Sequence, residues 1–247
     1  MIEKSSLSKV AVMVSVVLPA YNEVDKLDGA VEKISQALRE IGYPFEIIIA
    51  EDGSTDGTAE RSEALAQEYP FVRHIHRDKR QGRGTALNNA FRQCNGKVLV
   101  YMDLDLATNL KSLKPLVQAI MVEGYDFSTG SRMLPESRVE RSLGRSLSSK
   151  SYNFLVRHML GSKVKDHQCG FKAFRKEAVL SLLGEVEATH WFWDTEILVR
   201  AHRHGFKIKE IPVEWTSGAG TKVNITKDSW NMFWQVTRLW WKLRTKG

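Results

Sequence analysis

The sequence is poor in cysteine, and it contains no long apolar segment. Its 247 residues include two cysteines, Cys94 and Cys169, which lie far apart and belong to no CxxC pair or Cys/His cluster. The cysteines therefore predict neither a zinc site nor a disulfide framework, and we expect a reducing compartment. No stretch reaches the roughly 18 consecutive apolar residues that a membrane-spanning helix needs, so we expect no transmembrane helix.

An apolar run near the N-terminus, residues 10–20, is too short and too polar at its end for a signal peptide. It contains Ser15 and Pro19 and continues directly into the sequence Tyr-Asn-Glu. These features favour a first β-strand, so we expect no signal peptide.

Positive charge is concentrated in two segments of a chain whose formal net charge is +7. Residues 132–165 contain eight Lys or Arg against two Glu, and residues 227–247 contain five against one Asp. Such segments indicate an anionic partner, which is phosphate, a membrane surface or nucleic acid. No recognised nucleic-acid-binding motif is present, so we expect no nucleic acid partner.

Predicted strands alternate with predicted helices through the first half of the chain. This alternation predicts an α/β fold with a doubly wound, mostly parallel central sheet flanked by helices. The second half is less regular and contains two further helices and a strand. The predicted strands are 12–18, 45–50, 71–76, 98–102, 125–129 and 207–215, and the predicted helices are 25–41, 58–68, 85–93, 113–122, 141–159 and 192–205.

Three of the predicted strands end in polar sequences, which are PAYNE, EDGSTDGT and DLD. Ligands of such sheets bind beyond the carboxyl ends of the strands, so we expect these segments to meet there. Asp103 and Asp105 supply the oxygen ligands that Mg²⁺ or Mn²⁺ takes together with a substrate's phosphates. Gly82 and Gly84 open a helix whose N-terminus is suited to an anion.

Several ordered motifs together resemble one protein family. They are VVLPAYNE, EDGSTDGT, GRGTALNNAF, MDLDL, TGSR, DHQCGFKAF, FWDTEIL and IPVEW, and they span residues 12–216. They resemble the family 2 glycosyltransferases of the GT-A fold, and the later motifs resemble the dolichyl-phosphate mannose and glucose synthases. The sequence QCGFK is more similar to the glucosyl members.

The resemblance implies an inverting, metal-dependent hexosyltransferase. It would move glucose or mannose from a UDP- or GDP-linked donor to dolichyl or polyprenyl phosphate. Asp105 would hold Mg²⁺ or Mn²⁺ on the diphosphate, and Asp103 would lie near the ribose or the metal. Arg83 stands where relatives often carry Lys, and Ala107 where they often carry Gln. The implied donor-binding residues are Pro19, Ala20, Tyr21, Glu23, Asp52 (toward the base), Gly82, Arg83, Gly84 and Asp103.

The acceptor's chemistry predicts which side chains hold it. The second pKa of a phosphate monoester is about 6, so an acceptor phosphate is anionic near neutral pH and needs no general base. It needs cationic partners instead. We predict that Arg132 in TGSR and one face of the helix 141–159 hold the acceptor phosphate. The candidates on that face are Arg141, Arg145 and Ser149, and Asn153 continues the same spacing of four residues.

Asp194 and Glu196 also occupy motif positions, and two roles are open for each. One is a catalytic role near the donor sugar, and the other is an ion pair with Arg200 or Arg203. A family 2 enzyme that acts on a soluble or polysaccharide hydroxyl is an alternative function. Asp194 or Glu196 would then serve as its base.

The C-terminal segment, residues 217–247, is rich in tryptophan. Trp230, Phe233, Trp234 and Trp241 fall on one side at helical spacing, among several basic residues. This pattern predicts an amphipathic helix at a membrane interface, with a helix packed on the core as the alternative. We therefore expect a catalytic domain at 1–216, with a nucleotide-sugar half at about 10–110 and an acceptor half at about 111–216. We expect it to be peripheral on the cytoplasmic face of a membrane.

Overall fold

The structure, a computed structural model, describes residues 11–216 and 225–245, and at 143, 145 and 225–230 it describes the backbone alone. Seven strands form the central sheet: β1 (Val14–Ala20), β2 (Phe45–Glu51), β3 (Val72–Ile75), β4 (Val98–Met102), β5 (Phe127–Ser131), β7 (Phe171–Arg175) and β8 (Ile208–Pro212). Their order is β3-β2-β1-β4-β7-β5-β8. β6 (Arg138–Glu140) and β9 (Glu214–Thr216) form a separate parallel pair.

Helices cover both faces of this sheet, which is why β4, the middle strand of the seven, is apolar throughout. All residues of β4 are buried. On β2, Ile47 and Ile49 pack on the face of α1, while Ile48 packs on the face of α3. The predicted mostly parallel, doubly wound sheet is thus confirmed. The helices are α1 (Val24–Ile41), α2 (Thr58–Glu68), α3 (Arg83–Gln93), α4 (Leu113–Met121), α5 (Leu143–Leu160), α6 (Lys176–Leu182), α7 (Trp193–Arg203) and α8 (Ile225–Thr245).

The sequence predicts no strand in DHQCGFKAF, and here it is wrong. β7 lies antiparallel between β4 and β5, with Lys172 opposite Tyr101 and Phe174 opposite Leu99. The five residues of β7, with Lys172 and Arg175 among apolar ones, carry no clear periodicity, and the partner strands are far away in sequence. The insertion brings Lys172 to the centre of the sheet.

The two longest helices of the second half pack against each other. Val236 and Leu239 of α8 are buried with Val156 and Leu160 of α5. The other side of α8 is exposed, with Trp234 and Trp241 each 65% accessible. The helix therefore docks on the core by one edge and leaves an aromatic edge uncovered. The side chain of Trp230 lies outside the described residues.

Two sequence expectations concern these helices. α5 begins at Leu143, so the predicted helical face is wrong for Arg141, which precedes the helix. Within the ranges that the structure describes, no helix is both long and apolar enough to cross a membrane.

Candidate active site

The carboxyl ends of β2, β1 and β4 lie side by side, because these strands are adjacent and parallel. The three polar segments therefore meet at one edge of the sheet, as the sequence predicts. A small cleft at the carboxyl end of β4 opens to solvent. It is lined by Met102, Asp103, Asp105, Leu106, Ala107, Thr108, Gly170, Phe171 and Trp215.

Asp103 and Asp105 line the same cleft in different environments. Asp103 Oδ1 accepts a hydrogen bond from Arg83 Nη2 at 2.9 Å. A β-carbon at Gly170 would overlap the Asp103 carboxylate, so the site requires glycine at that position. Asp105 is exposed, and its Oδ1 accepts from the backbone N–H of Ala107 at 3.1 Å. Two carboxylates at the mouth of one cleft form a donor set that suits a hard divalent cation.

Behind Asp103 lies a buried cluster of charged side chains. Asp194, whose side chain is 3% exposed, accepts hydrogen bonds from Lys172 Nζ at 2.6 Å and from Arg83 Nη1 at 2.8 Å. It also accepts from the Tyr101 hydroxyl. Arg83 thus joins Asp194 to Asp103, and Lys172 is fully buried. Because an unpaired buried charge is costly, these groups depend on one another.

The cluster separates the acidities of its two carboxyl groups. Burial opposes ionisation of Asp194, but Lys172 and Arg83 hold its pKa below the usual value. Burial raises the pKa of Asp103, and the charges of Asp194 and Asp105 add to this while Arg83 opposes it. A cation beside Asp103 would relieve this repulsion, so the electrostatics of the cleft also fit a metal ion.

Asp52 fastens the glycine-rich loop. Its Oδ1 and Oδ2 accept hydrogen bonds from the backbone N–H groups of Gln81 at 3.0 Å and Gly82 at 2.7 Å. Gly82 has a φ of +104°, and a β-carbon there would clash with Thr189. The N–H of Gly84 donates to the Thr189 carbonyl at 2.8 Å. The loop amides are thus engaged within the protein, and the roles of Asp52 toward a base and of the loop toward an anion stay predictions.

The remaining predicted donor residues lie at the end of β1. Pro19 and Ala20 close the strand and pair with β2. The Tyr21 ring lies 3.8 Å from the guanidinium carbon of Arg80, which gives a flat cationic surface of the kind that a nucleotide base stacks on. The N–H of Glu23 donates to the Thr58 hydroxyl at 2.9 Å, which anchors the start of α1.

Arg132 follows β5 and borders the cleft. Its Nε and Nη2 donate to Asp166 Oδ2 and Oδ1 at 2.7 and 2.9 Å. Burial opposes ionisation of Asp166, but the charge of Arg132 lowers its pKa far below the usual value. The Arg132 guanidinium lies 5.5 Å from the ring of Trp215, which lines the cleft. Arg132 is therefore held in a fixed orientation at the border of the cleft, where its charge interacts with Asp103.

The other predicted acceptor residues are brought together only in part. Burial and the charge of Arg132 lower the pKa of Arg141. Among the described residues, Arg141 forms no ion pair. Ser149 Oγ is buried and has no hydrogen-bond partner among the described residues. The side chain of Arg145 is not among those that the structure describes. Asn153 is buried and binds His167, so α5 has no continuous basic face through these positions.

Glu196 is engaged inside the protein. Its Oε1 accepts from Arg200 Nε at 2.9 Å and Nη2 at 2.7 Å. Its Oε2 accepts from the backbone N–H groups of Glu187 at 3.1 Å and Ala188 at 2.8 Å. The sequence leaves two roles open for Glu196, a catalytic role and an ion pair, and the structure has the ion pair with Arg200. Asp194 instead pairs with Lys172 and Arg83.

The sequence does not predict the places of Tyr101, Asp166, Gly170, Lys172 and Trp215 in this site. The charged residues inside DHQCGFKAF are a usable signal, because a lone lysine or aspartate in an apolar segment must find a partner. Tyr101 gives no such signal, since a tyrosine in a buried strand is ordinary.

Comparisons with known proteins agree with this geometry. The profile of glycosyl transferase family 2 matches residues 15–183. The chain is 46% identical over 237 residues to glycosyltransferase AglD of Haloferax volcanii. The matched region covers 95% of this chain and 38% of AglD. The chain is 31% identical to a dolichyl-phosphate beta-glucosyltransferase of Saccharomyces cerevisiae, across 90% of this chain and 72% of that protein.

A solved structure shares the fold. Glucosyl-3-phosphoglycerate synthase from Mycobacterium tuberculosis, in complex with Mn²⁺, uridine diphosphate and glucosyl-3-phosphoglycerate, superposes with a TM-score of 0.67 at 22% identity. The match covers 93% of this chain and 78% of that one, and it confirms the GT-A fold. With a family profile that matches more than half of its length, this chain belongs to glycosyl transferase family 2.

Proposed function

We propose that this protein transfers glucose or mannose from a nucleotide-diphosphate sugar to a polyprenyl phosphate such as dolichyl phosphate, with inversion at the anomeric carbon. The observation that carries the proposal is one cleft that Asp103 and Asp105 line and that Arg132 borders through its contact with Trp215. The yeast relative, a dolichyl-phosphate beta-glucosyltransferase, supports the acceptor class. The uridine diphosphate in the Mycobacterium complex supports the donor class.

Asp103 and Asp105 would hold Mg²⁺ or Mn²⁺ together with the donor diphosphate. Two carboxylates supply fewer oxygen atoms than either ion needs, so phosphate and water would complete the coordination. When bound, the metal offsets the charge that develops on the leaving diphosphate. The Mn²⁺ in the Mycobacterium complex supports this assignment.

Arg132 and Arg141 would bind the acceptor phosphate. Burial and the proximity of Arg132 disfavour the charge on Arg141, and a phosphate between them offsets that repulsion. The phosphate arrives ionised near neutral pH, so no side chain needs to remove its proton. Its oxygen attacks the anomeric carbon opposite the leaving diphosphate, which inverts the configuration.

A hydroxyl acceptor is the second candidate function, and it requires a base. Asp194 is bonded to Lys172 and Arg83, and its pKa is held low, which makes it a weak base. Glu196 is bonded to Arg200. These contacts favour an acceptor that is already ionised.

We further propose that the protein works at the cytoplasmic surface of a membrane, where a lipid-linked acceptor is found. Trp234 and Trp241 are each 65% exposed on α8, and Phe154 is 61% exposed on the neighbouring α5. Exposed aromatic side chains beside basic ones are typical of helices that lie in the headgroup region.

Transfer from labelled UDP- and GDP-sugars to dolichyl phosphate in detergent, with Mn²⁺, Mg²⁺ or EDTA, tests the reaction. We expect chloroform-extractable label from one donor, only when metal is present, and its loss in Asp105→Asn. Arg141→Gln should raise the KM for dolichyl phosphate, while Arg157→Gln, an exposed arginine of α5, should not. Preferential labelling of a water-soluble hydroxyl acceptor would replace this proposal by the second candidate. No label from any donor would contradict both.

A further inference from the structure

A second group of potential metal ligands lies at the carboxyl ends of β2 and β3, away from the cleft. It consists of Glu51, His74 and His76, whose ligand atoms all lie within 4.8 Å of one another. Within residues 11–216 and 225–245, no other three His, Cys, Asp or Glu side chains are arranged in this way. The group faces α2, whereas Asp52, the next residue after Glu51, turns to the opposite side and bonds the glycine-rich loop. The proposed transfer reaction does not use it.

His74 is the informative member of the group. Its side chain is 7% exposed, and its Nδ1 lies 3.1 Å from Glu63 Oε2. Its Nε2 is buried and has no hydrogen-bond partner among the described residues. Leaving such a buried nitrogen unpaired is energetically unfavourable. An imidazole that donates its Nδ1 proton to a carboxylate presents a lone pair on Nε2, which is the usual state of a metal-binding histidine.

Glu51 and His76 complete the group and connect it to solvent. The Glu51 side chain is fully buried, and its Oε2 lies 2.6 Å from His76 Nδ1. Its Oε1 accepts a hydrogen bond from the backbone N–H of Ser54, which holds the carboxylate in place beside His76. The His76 side chain is 48% exposed, and its Nε2 lies 3.4 Å from Asp78. An ion therefore has access to the group from the side of His76.

We propose that Glu51, His74 and His76 bind one divalent transition-metal ion, with Zn²⁺ as the ion that fits best. Two imidazole nitrogens and one carboxylate oxygen, with a fourth position for water, form a common zinc ligand set. Imidazole favours Zn²⁺ over Mg²⁺, so this site differs in selectivity from the carboxylates Asp103 and Asp105. Glu63 orients His74 through its Nδ1.

The bound ion fixes the segment that leads into the glycine-rich loop. His76 directly precedes residues 77–82, in which Arg80 lies over Tyr21 and Gly82 bonds Asp52. A β-carbon at Gly53 would lie 2.5 Å from the backbone nitrogen of Arg80, so this segment also packs closely on the end of β2. The proposed zinc site is thus structural: it holds residues 77–82, which carry the predicted donor-binding residue Gly82, against the end of β2.

Zn²⁺ binding to the untagged full chain, after removal of metal by a chelator, tests the proposal. Competition with a chromogenic zinc chelator and elemental analysis after dialysis should show one Zn²⁺ per chain and a higher melting temperature. The ion should persist in Asp105→Asn, which separates it from the cleft. His74→Gln and His76→Gln should abolish tight binding, and Glu63→Gln should weaken it about 10–100-fold. His158→Gln, an exposed histidine outside the group, should bind as the wild type does.

Three outcomes would overturn the proposal: no Zn²⁺ bound by the wild type, unchanged binding in both histidine variants, or loss of the ion in Asp105→Asn. Far-UV circular dichroism establishes that each variant is folded. Should His74→Gln fail to fold, His76→Gln decides, because its half-exposed position tolerates substitution. Zn²⁺ binding is independent of transfer activity, so the two proposals fail separately.

Discussion

Lys172→Met tests whether the buried charge cluster is one energetic unit. The substitution keeps an unbranched apolar side chain that is one heavy atom shorter, and it removes the ammonium group that lies 2.6 Å from Asp194 Oδ1. Removing one partner of a buried ion pair costs about 3–5 kcal/mol of unfolding free energy. We expect a loss near the lower end, about 3 kcal/mol, because Arg83 still bonds the other Asp194 oxygen at 2.8 Å. Such a loss is a large fraction of a typical domain stability of about 5–15 kcal/mol.

Urea denaturation at pH 7 measures this loss, with Lys209→Met as the matched control. Lys209 pairs with Glu123 at the surface, so its replacement should cost less than about 1 kcal/mol. The double variant Lys172→Met/Asp194→Asn should be less destabilised than the sum of the single ones, with a coupling of about 1–3 kcal/mol. A loss as small as that of the control, or an additive double variant, would refute the reasoning.

Gly170→Ala should lower transfer activity at least about tenfold while the protein stays folded, because the new methyl group overlaps the Asp103 carboxylate and a displacement of about 1 Å costs up to 100-fold. Gly184→Ala, with nothing within 4 Å of the new carbon, should be as active as the wild type in the same transfer assay, and equal activity of both variants would contradict this view of Gly170. Burial lowers the pKa of His167 from 6.5 to about 3, so the wild type should lose stability as the pH falls from 6.5 toward 3, by up to about 1.4 kcal/mol per pH unit. His167→Gln should lack this component, which urea midpoints at pH 6.5 and 4.5 measure, and equal slopes in both proteins would argue against it. Trp234→Glu/Trp241→Glu should reduce co-sedimentation with anionic vesicles, while Val122→Glu, at a 69% exposed position after α4, should not; retained binding of the double variant would exclude the aromatic edge of α8 as the membrane contact.

The sheet edge that carries the site is predictable because its signals are local. β1, β2 and β4 are apolar runs that stop at polar motifs, and right-handed crossovers bring the ends of parallel strands to one edge. The strand pattern alone therefore predicts that Asp103 and Asp105 share a cleft. The same argument predicts Asp52 beside them, but not that its two oxygens bind Gln81 and Gly82.

The interior of the site is not predictable in this way, because it depends on pairings across long stretches of chain. β7 places Lys172 opposite Tyr101 by an antiparallel register with β4, and Asp194 reaches both from α7. None of these contacts follows from periodicity, which reports how a segment is buried but not which segment it meets. The pairing of Arg132 with Asp166 is of the same kind.

The two carboxylates of FWDTEIL show why a motif position alone does not assign a catalytic role. Asp194 and Glu196 are two residues apart on α7, so their side chains point about 200° apart around the helix axis. One therefore reaches Lys172 and Arg83 next to the cleft, and the other reaches Arg200. Protonation of Asp194 would leave the buried ammonium of Lys172 without its compensating charge, and protonation of Glu196 would weaken its ion pair with Arg200. Neither carboxylate is suited to deprotonate a hydroxyl, and the reaction that needs no such step is the one in which the acceptor arrives as an anion.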